Sequence, residues 1–101
     1  AAAESSDVVV LAKERLDLTA TAWARGGIAA VWSSSDSLDA HIEDTLTVGH
    51  GLCEPAAVEA VVSGGRRAIE QLIRWGARFD EDEAGLELSR EGGHSHARVI
   101  H

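Results

Sequence analysis

Asp7-Val8-Val9-Val10-Leu11-Ala12 is the stretch on which the fold turns. Its four central residues are apolar without a break, so neither face is polar. That is the pattern of a strand covered by helices on both sides of a parallel sheet. Such a strand needs neighbours, yet the 101-residue sequence holds no second run like it, and no G-x-G-x-x-G loop precedes it. Its sheet partners are therefore expected outside this chain. Lys13-Glu14-Arg15 follows as a charged exit at the carboxyl end of the strand. Open α/β sheets bind nucleotides there, and the same residues equally suit an ordinary charged loop.

The next stretch, Thr19-Ala20-Thr21-Ala22-Trp23-Ala24-Arg25-Gly26-Gly27-Ile28-Ala29-Ala30-Val31, is rich in small side chains. Backbone so stripped of bulk can approach a flat or phosphorylated ligand, and it can equally serve tight packing. Ser33-Ser34-Ser35-Asp36 offers an N-cap, and Leu38, Ile42 and Leu46 then recur every four residues. This predicts a helix of about three turns ending near Gly49. His41 reads as a surface or capping histidine, and Glu43-Asp44 as facing away from the apolar stripe. Pro55 suits the first turn of the following helix, whose buried stripe is Val58, Val61 and Val62. Two glycines inside one helix would cost about 2 kcal/mol relative to alanine, so a break is expected at Ser63-Gly64-Gly65. A further helix then runs through Ile69, Leu72, Ile73 and a core Trp75 to Gly76. Leu86-Glu87-Leu88 alternates as a short strand, with Val99-Ile100 as its return.

Between those strands the chemistry is dense. Ser89-Arg90-Glu91-Gly92-Gly93-His94-Ser95-His96, followed by Ala97-Arg98-Val99-Ile100-His101, gathers a carboxylate, two arginines and three imidazoles around a Gly-Gly pair. Glu91 can bind a cationic group, orient a substrate or take a proton. It can equally be a surface glutamate paired with Arg90 or Arg98. His94, His96, His101, His50 and Cys53 invite a zinc site, but there is no Cys-x-x-Cys pair and no helical His-x-x-x-His, so no metal is expected. Cys53 is the only cysteine and reads as a small buried or half-buried thiol.

Composition narrows the function classes. With 9 Lys+Arg against 17 Asp+Glu, the formal charge of -8 repels nucleic-acid phosphates and anionic lipid. Asp80-Glu81-Asp82-Glu83 reads as a solvated turn. No apolar run reaches the roughly 18 residues of a membrane span, and no basic region leads into a signal core. A protein of the cytoplasm is expected, without nucleic-acid or membrane partners.

Residues 8–13, the Arg-Gly-Gly-Ile-Ala-Ala-Val of residues 25–31, and the Arg-Glu-Gly-Gly-His-Ser-His-x-Arg-x-Ile-His of residues 90–101 together resemble the amino-terminal third of the L-aspartate oxidase family. Residues 36–46 and Gly51-Leu52-Cys53 follow the same family. The Gly-Gly-Ile motif is shared with the flavoprotein subunits of succinate dehydrogenase and fumarate reductase. The resemblance implies an α/β fragment of a Rossmann-like FAD-binding domain over residues 1–101, with a parallel strand, two to three helices and a short β-hairpin. It implies FAD-dependent oxidation of L-aspartate to iminoaspartate in quinolinate and NAD synthesis, with oxygen or fumarate as electron acceptor and quinolinate synthase as a candidate partner.

Residue by residue, Lys13 and Ala20-Thr21-Ala22-Trp23-Ala24-Arg25-Gly26-Gly27 match the cofactor-contacting positions, and Glu91 matches the acidic residue that meets the substrate's amino group and serves as the candidate catalytic residue. Ala20 stands where covalent members carry the flavin-bonded histidine, so FAD is expected to be held non-covalently. Glu91 stands at a place that is apolar in the dicarboxylate enzymes, which favours aspartate over succinate. Two positions depart from the family: Arg25 replaces its usual glutamine, and Ala12 its frequent serine. The Gly-rich phosphate loop, the substrate-binding arginines and the acid-base arginine are expected outside residues 1–101, so the chain alone should be inactive. Two competing assignments are a flavoprotein of the fumarate reductase or succinate dehydrogenase type and a non-catalytic acidic interaction module.

Overall fold

The computed structural model describes residues 2–24, 26–83 and 85–101, apart from the side chain of Thr21. It is an α/β arrangement. 3-10 turns at Ala2–Glu4 and Leu16–Leu18 lead into a one-turn helix α1 (Ala20–Trp23) and strand β1 (Ile28–Ala29). Helices α2 (Leu38–Val48) and α3 (Pro55–Arg74) follow, then strands β2 (Glu81–Asp82), β3 (Gly85–Leu86) and β4 (Val99–Ile100).

Strand β4 is the hub. It pairs antiparallel with β1, placing Ile28 opposite Ile100 and Ala29 opposite Val99. The Ala30 N–H extends this ladder by donating to the Arg98 carbonyl at 2.9 Å. On its other side Val99 bridges Ser89, whose N–H donates to the Val99 carbonyl at 2.9 Å. Val99–Ile100 is thus a strand as expected, but its ladder partner is β1 and not Leu86-Glu87-Leu88, of which only Leu86 lies in a strand, paired with β2. The Ser89–Val99 bridge closes residues 90–98 as a loop at its base. β2 and β3 make a separate antiparallel hairpin.

Both ladders are antiparallel, and the strand expected over residues 7–12 enters neither. Val8, Val9, Val10 and Leu11 are exposed. An all-apolar strand draws its stability from two covering layers, and the described residues leave these side chains in solvent.

Helix α2 starts one residue after the expected cap: Ser37 Oγ accepts the Ala40 N–H at 3.1 Å. Helix α3 corrects the break expected at Ser63-Gly64-Gly65, for it runs unbroken through both glycines. Packing overrides propensity here. Val62, Gly65 and Ile69 share one face of α3, and a Cβ on Gly65 would lie 3.3 Å from that of Ala30. Without a side chain at 65, the helix can lie against the chain leaving β1. Ile69 then joins Ala30 and Ile100 in the core, flanked by Trp32, Phe79, Leu86 and Leu88.

The helix stops as expected at Gly76. With φ at +92°, Gly76 donates to the Ile73 carbonyl at 2.9 Å while Ala77 donates to that of Leu72 at 3.0 Å, a Schellman arrangement. Trp75 corrects the expectation of a core residue. It occupies the C-cap, past the face that carries Val62 and Ile69, and is 53% exposed, with its indole N–H donating to Glu4 Oε1 at 3.3 Å. Among the described residues no helix is long and apolar enough to cross a membrane.

The two helical glycines should respond oppositely to substitution. Gly64→Ala should stabilise the complete protein by about 0.4–1 kcal/mol, because a Cβ there meets nothing within 4 Å. Gly65→Leu should destabilise it by about 1–3 kcal/mol through overpacking on Ala30. Urea unfolding reads both, and effects of the same sign and size would refute the close approach of α3 to Ala30.

Candidate functional site

The polar centre of the molecule is Arg98, which is 0% exposed. Its backbone is committed on both sides, its carbonyl to Ala30 and its N–H to the Ser89 carbonyl at 3.1 Å. Its guanidinium reaches the turn before α2 and the body of that helix. Nε and Nη2 donate to the two Asp36 oxygens, each at 2.8 Å, and Nη1 donates to Asp44 Oδ2 at 2.8 Å. The Ser95 N–H and hydroxyl both donate to that same Asp44 oxygen at 2.7 Å. His96 Nδ1 completes the cluster, 2.9 Å from Ser95 Oγ and 3.5 Å from Asp36 Oδ1. The planar fork of an arginine suits such bidentate pairing.

These contacts set the protonation of the carboxylates. The Ser95 N–H, then its hydroxyl, then Arg98 hold the Asp44 carboxyl down to about 2, overcoming its burial. Burial alone would raise Asp36, but the Arg98 hydrogen bond, the Ser37 N–H and the Arg98 charge bring it below its ordinary value.

His41 is only 6% exposed, which corrects its expected place at the surface. Burial chiefly, then the positive charge of Arg98 and the neighbouring His94, lowers its pKa in spite of Asp36 and Asp44. Its ring meets that of His94 edge-on at 5.7 Å, and Nδ1 of each ring is buried without a hydrogen-bond partner among the described residues. Of the histidines that invited a zinc site, His94 meets His41 and His96 meets Ser95 and Asp36.

Near the start of the loop, Glu91 pairs with neither of the arginines that its sequence neighbourhood offers. Its Oε1 lies 3.1 Å from His101 Nε2, and the same nitrogen is 3.2 Å from Ser89 Oγ. Gly93 has φ at +84°, and a Cβ on it would come within 2.9 Å of Val48 Cγ2. That glycine serves the docking of the loop on α2, whereas Gly92 stays open.

The candidate cofactor residues lie along an exposed rim. Lys13 and Ala20 line a cavity of about 410 Å3 with Leu11, Ala12, Glu14, Leu18 and Thr19. Ala22 lines an adjoining one of about 390 Å3 that shares Leu11, Ala12 and Thr19. Trp23 stands outside both, 72% exposed, with its indole N–H donating to the Asp17 carbonyl at 3.1 Å. Ala24 and Gly26 are exposed, and Gly27 lies against Val99 and the His101 ring. Arg25 falls outside the described residues, as does the side chain of Thr21.

Arg98 belongs to the polar stretch that the sequence marks out, though there it reads only as a candidate partner of Glu91, while Asp36, Asp44 and His41 read as cap, solvated and surface residues. The one available signal is a lone charge inside the apolar run Ala97-Arg98-Val99-Ile100.

The sequence matches the FAD binding domain family over residues 1–101. The chain belongs to the FAD binding domain family. It is 51% identical over 98 residues to the Neisseria meningitidis serogroup B protein named L-aspartate oxidase, covering 97% of this chain and 20% of that protein. The protein of the same name from Streptomyces coelicolor is 48% identical over 94 residues, covering 92% of this chain and 16% of its own. Among solved structures, the Mycobacterium smegmatis Sdh1 complex in the apo form superposes with a TM-score of 0.75 at 28% identity, over 88% of this chain and 16% of that one. The chain thus spans at most a fifth of the length of these relatives. FAD is the cofactor of this domain. The residues present fit it: an ammonium at Lys13 suits its anionic tail, and small side chains at Ala20 and Ala22 beside apolar walls suit its flat ring.

Removing the guanidinium should be severe. Arg98→Leu strands the buried Asp36 carboxylate and should cost about 3–5 kcal/mol, while Arg98→Lys should recover only part, because an ammonium cannot fork. Denaturant unfolding of the complete protein measures this, and a native-like midpoint for Arg98→Leu would exclude the clamp. The carboxylates give a second test. Their folded values lie below the ordinary 3.8, that of Asp44 at about 2. Their stabilisation should therefore be complete above about pH 4 and lost as pH falls towards 2. Asp44→Asn should flatten stability between those values in an acid titration at fixed ionic strength.

Proposed function

We propose that this chain is the part of an L-aspartate oxidase that reads the substrate's amino group and lines the flavin. The observation that carries this is identity of about half the residues, over more than nine-tenths of the chain, with proteins named L-aspartate oxidase. Identity to the solved Sdh1 protein is much lower, at 28%. The reaction is oxidation of L-aspartate to iminoaspartate in the cytoplasm, feeding quinolinate and NAD synthesis, with oxygen or fumarate as final acceptor and quinolinate synthase as candidate partner.

FAD, when bound, supplies the acceptor for the two electrons released by the substrate. This chain's residues bind and orient. Aspartate differs from succinate by one ammonium, and the carboxylate of Glu91 meets that group with a charge-assisted hydrogen bond worth about 1.5–3 kcal/mol. Its exposed place on a loop fastened by Arg98 supports this role. Ala20 has no nucleophilic atom, so FAD is held without a covalent bond by Lys13 and the segment 20–27.

Residues 1–101 then form a partial domain, with the phosphate loop, the substrate-binding arginines and the acid-base arginine supplied elsewhere. The exposed apolar run of residues 8–11 supports a Rossmann-like parallel sheet completed by strands outside this chain.

The test is anaerobic flavin reduction in the complete protein with L-aspartate and with succinate. Aspartate should reduce the flavin, and Glu91→Gln should raise the apparent KM for it by about 10–100-fold. A preference for succinate that is indifferent to Glu91 would overturn the assignment in favour of a dicarboxylate flavoprotein.

A further inference from the structure

We propose that His101 is a positioning residue for Glu91, fixing the carboxylate from the side of the cofactor segment; this rests on the proposed role of Glu91 in reading an ammonium. A carboxylate only accepts hydrogen bonds, so the 3.1 Å contact requires the imidazole proton on Nε2, donated to Glu91 Oε1. Among the described residues Glu91 Oε2 has no hydrogen-bond partner. One oxygen is therefore held, and the other is left for the substrate's ammonium.

His101 is itself fixed on three sides. Its carbonyl accepts the Asp80 N–H at 2.8 Å. Its Nε2 also lies 3.2 Å from Ser89 Oγ, whose backbone is locked to Val99. The far edge of its ring lies against Gly27: a Cβ there would come within 2.9 Å of His101 Cε1 and 3.2 Å of Nδ1. One ring thus bridges the glycine at the end of the candidate flavin segment and the carboxylate that reads the substrate. Without it, Glu91 is an exposed side chain near the start of a loop with several rotamers open to it.

The experiment is a double-mutant cycle in the complete holoenzyme, reading steady-state kinetics with L-aspartate and melting temperature. His101→Ala should raise the KM for L-aspartate about tenfold and change kcat much less. His101→Gln, whose amide N–H reaches as far as Nε2, should return most of that loss. In a Glu91→Gln background, His101→Ala should move KM no further, because its effect runs through Glu91. Should His101→Ala fail to fold, His101→Leu keeps bulk against Gly27 without the donor and takes its place in the cycle. An unchanged KM in the single variant, or an equal KM effect in both backgrounds, would overturn the proposal. A holoenzyme that L-aspartate does not reduce, or a Glu91→Gln change without effect on KM, would remove the oxidase assignment and this inference with it; a flat His101 cycle in an otherwise responsive enzyme removes the inference alone.

Discussion

The described architecture depends on one buried guanidinium. Taking Arg98 and Asp36 out of water is expensive, and their attraction offsets that only when geometry is good and every remaining donor is used. The geometry is good, and each guanidinium nitrogen has a carboxylate acceptor. The fork closes on Asp36, the third nitrogen reaches Asp44, and Ser95 saturates the shared Asp44 oxygen. Three elements meet at this point: the turn before α2, the body of α2 and the loop before β4. Moving any of them would leave a buried charge without a partner.

A polar clamp is needed because the apolar core is small. Among the described residues its buried apolar members are Ala30, Val62, Ile69, Val99 and Ile100. The β1–β4 ladder has two residues on each strand, and an isolated two-stranded ladder is marginal in water. Such a core cannot by itself fix the orientation of the nine residues between the Ser89–Val99 bridge partners. Directional bonds do that here. The bridge closes the loop at its base, Arg98 and Ser95 tie its returning limb to α2, and His101 reaches back to Glu91 near its start. The result is a carboxylate presented at the surface on a loop with little freedom.

His41 shows how far the cluster's charges are committed. Two carboxylates nearby would ordinarily hold an imidazole protonated. Here burial chiefly opposes the charged form, and the positive charge of Arg98, which engages both carboxylates, adds to that opposition. The imidazole consequently packs on His94 as a neutral ring. No pattern around His41 in the sequence carries this, since it follows from tertiary pairing between residues 36, 44 and 98. The same limit hid the role of Asp44, which reads as solvated because it lies off the apolar stripe of α2. The body of α2, the Gly76 stop and the strand at Val99–Ile100 were legible, because each rests on local chemistry: an apolar repeat every four residues, a glycine in the left-handed region and two adjacent β-branched residues. The unbroken α3 was not, because the compensation for its glycines comes from Ala30, more than thirty residues away in sequence.

The remaining mismatch has a direction. Wherever apolar pattern overstates burial, at residues 8–11, at Val61 and at Trp75, the side chain lies at the surface. Apolar periodicity reflects the layers an element packs against in its working context, whether or not those layers belong to the described residues. Buried polar groups are stricter, because each must find its partner close by. Arg98 finds all of its partners within this chain. That difference separates two parts of the molecule: the returning limb of the loop that carries Glu91 is tied to α2 through Arg98 and Ser95, whereas the rim carrying Lys13 and Ala20 exposes an apolar surface of the kind that marks a binding or packing face. The two places therefore rest on different physics, ionic and hydrogen-bonded around Arg98 and apolar along the rim.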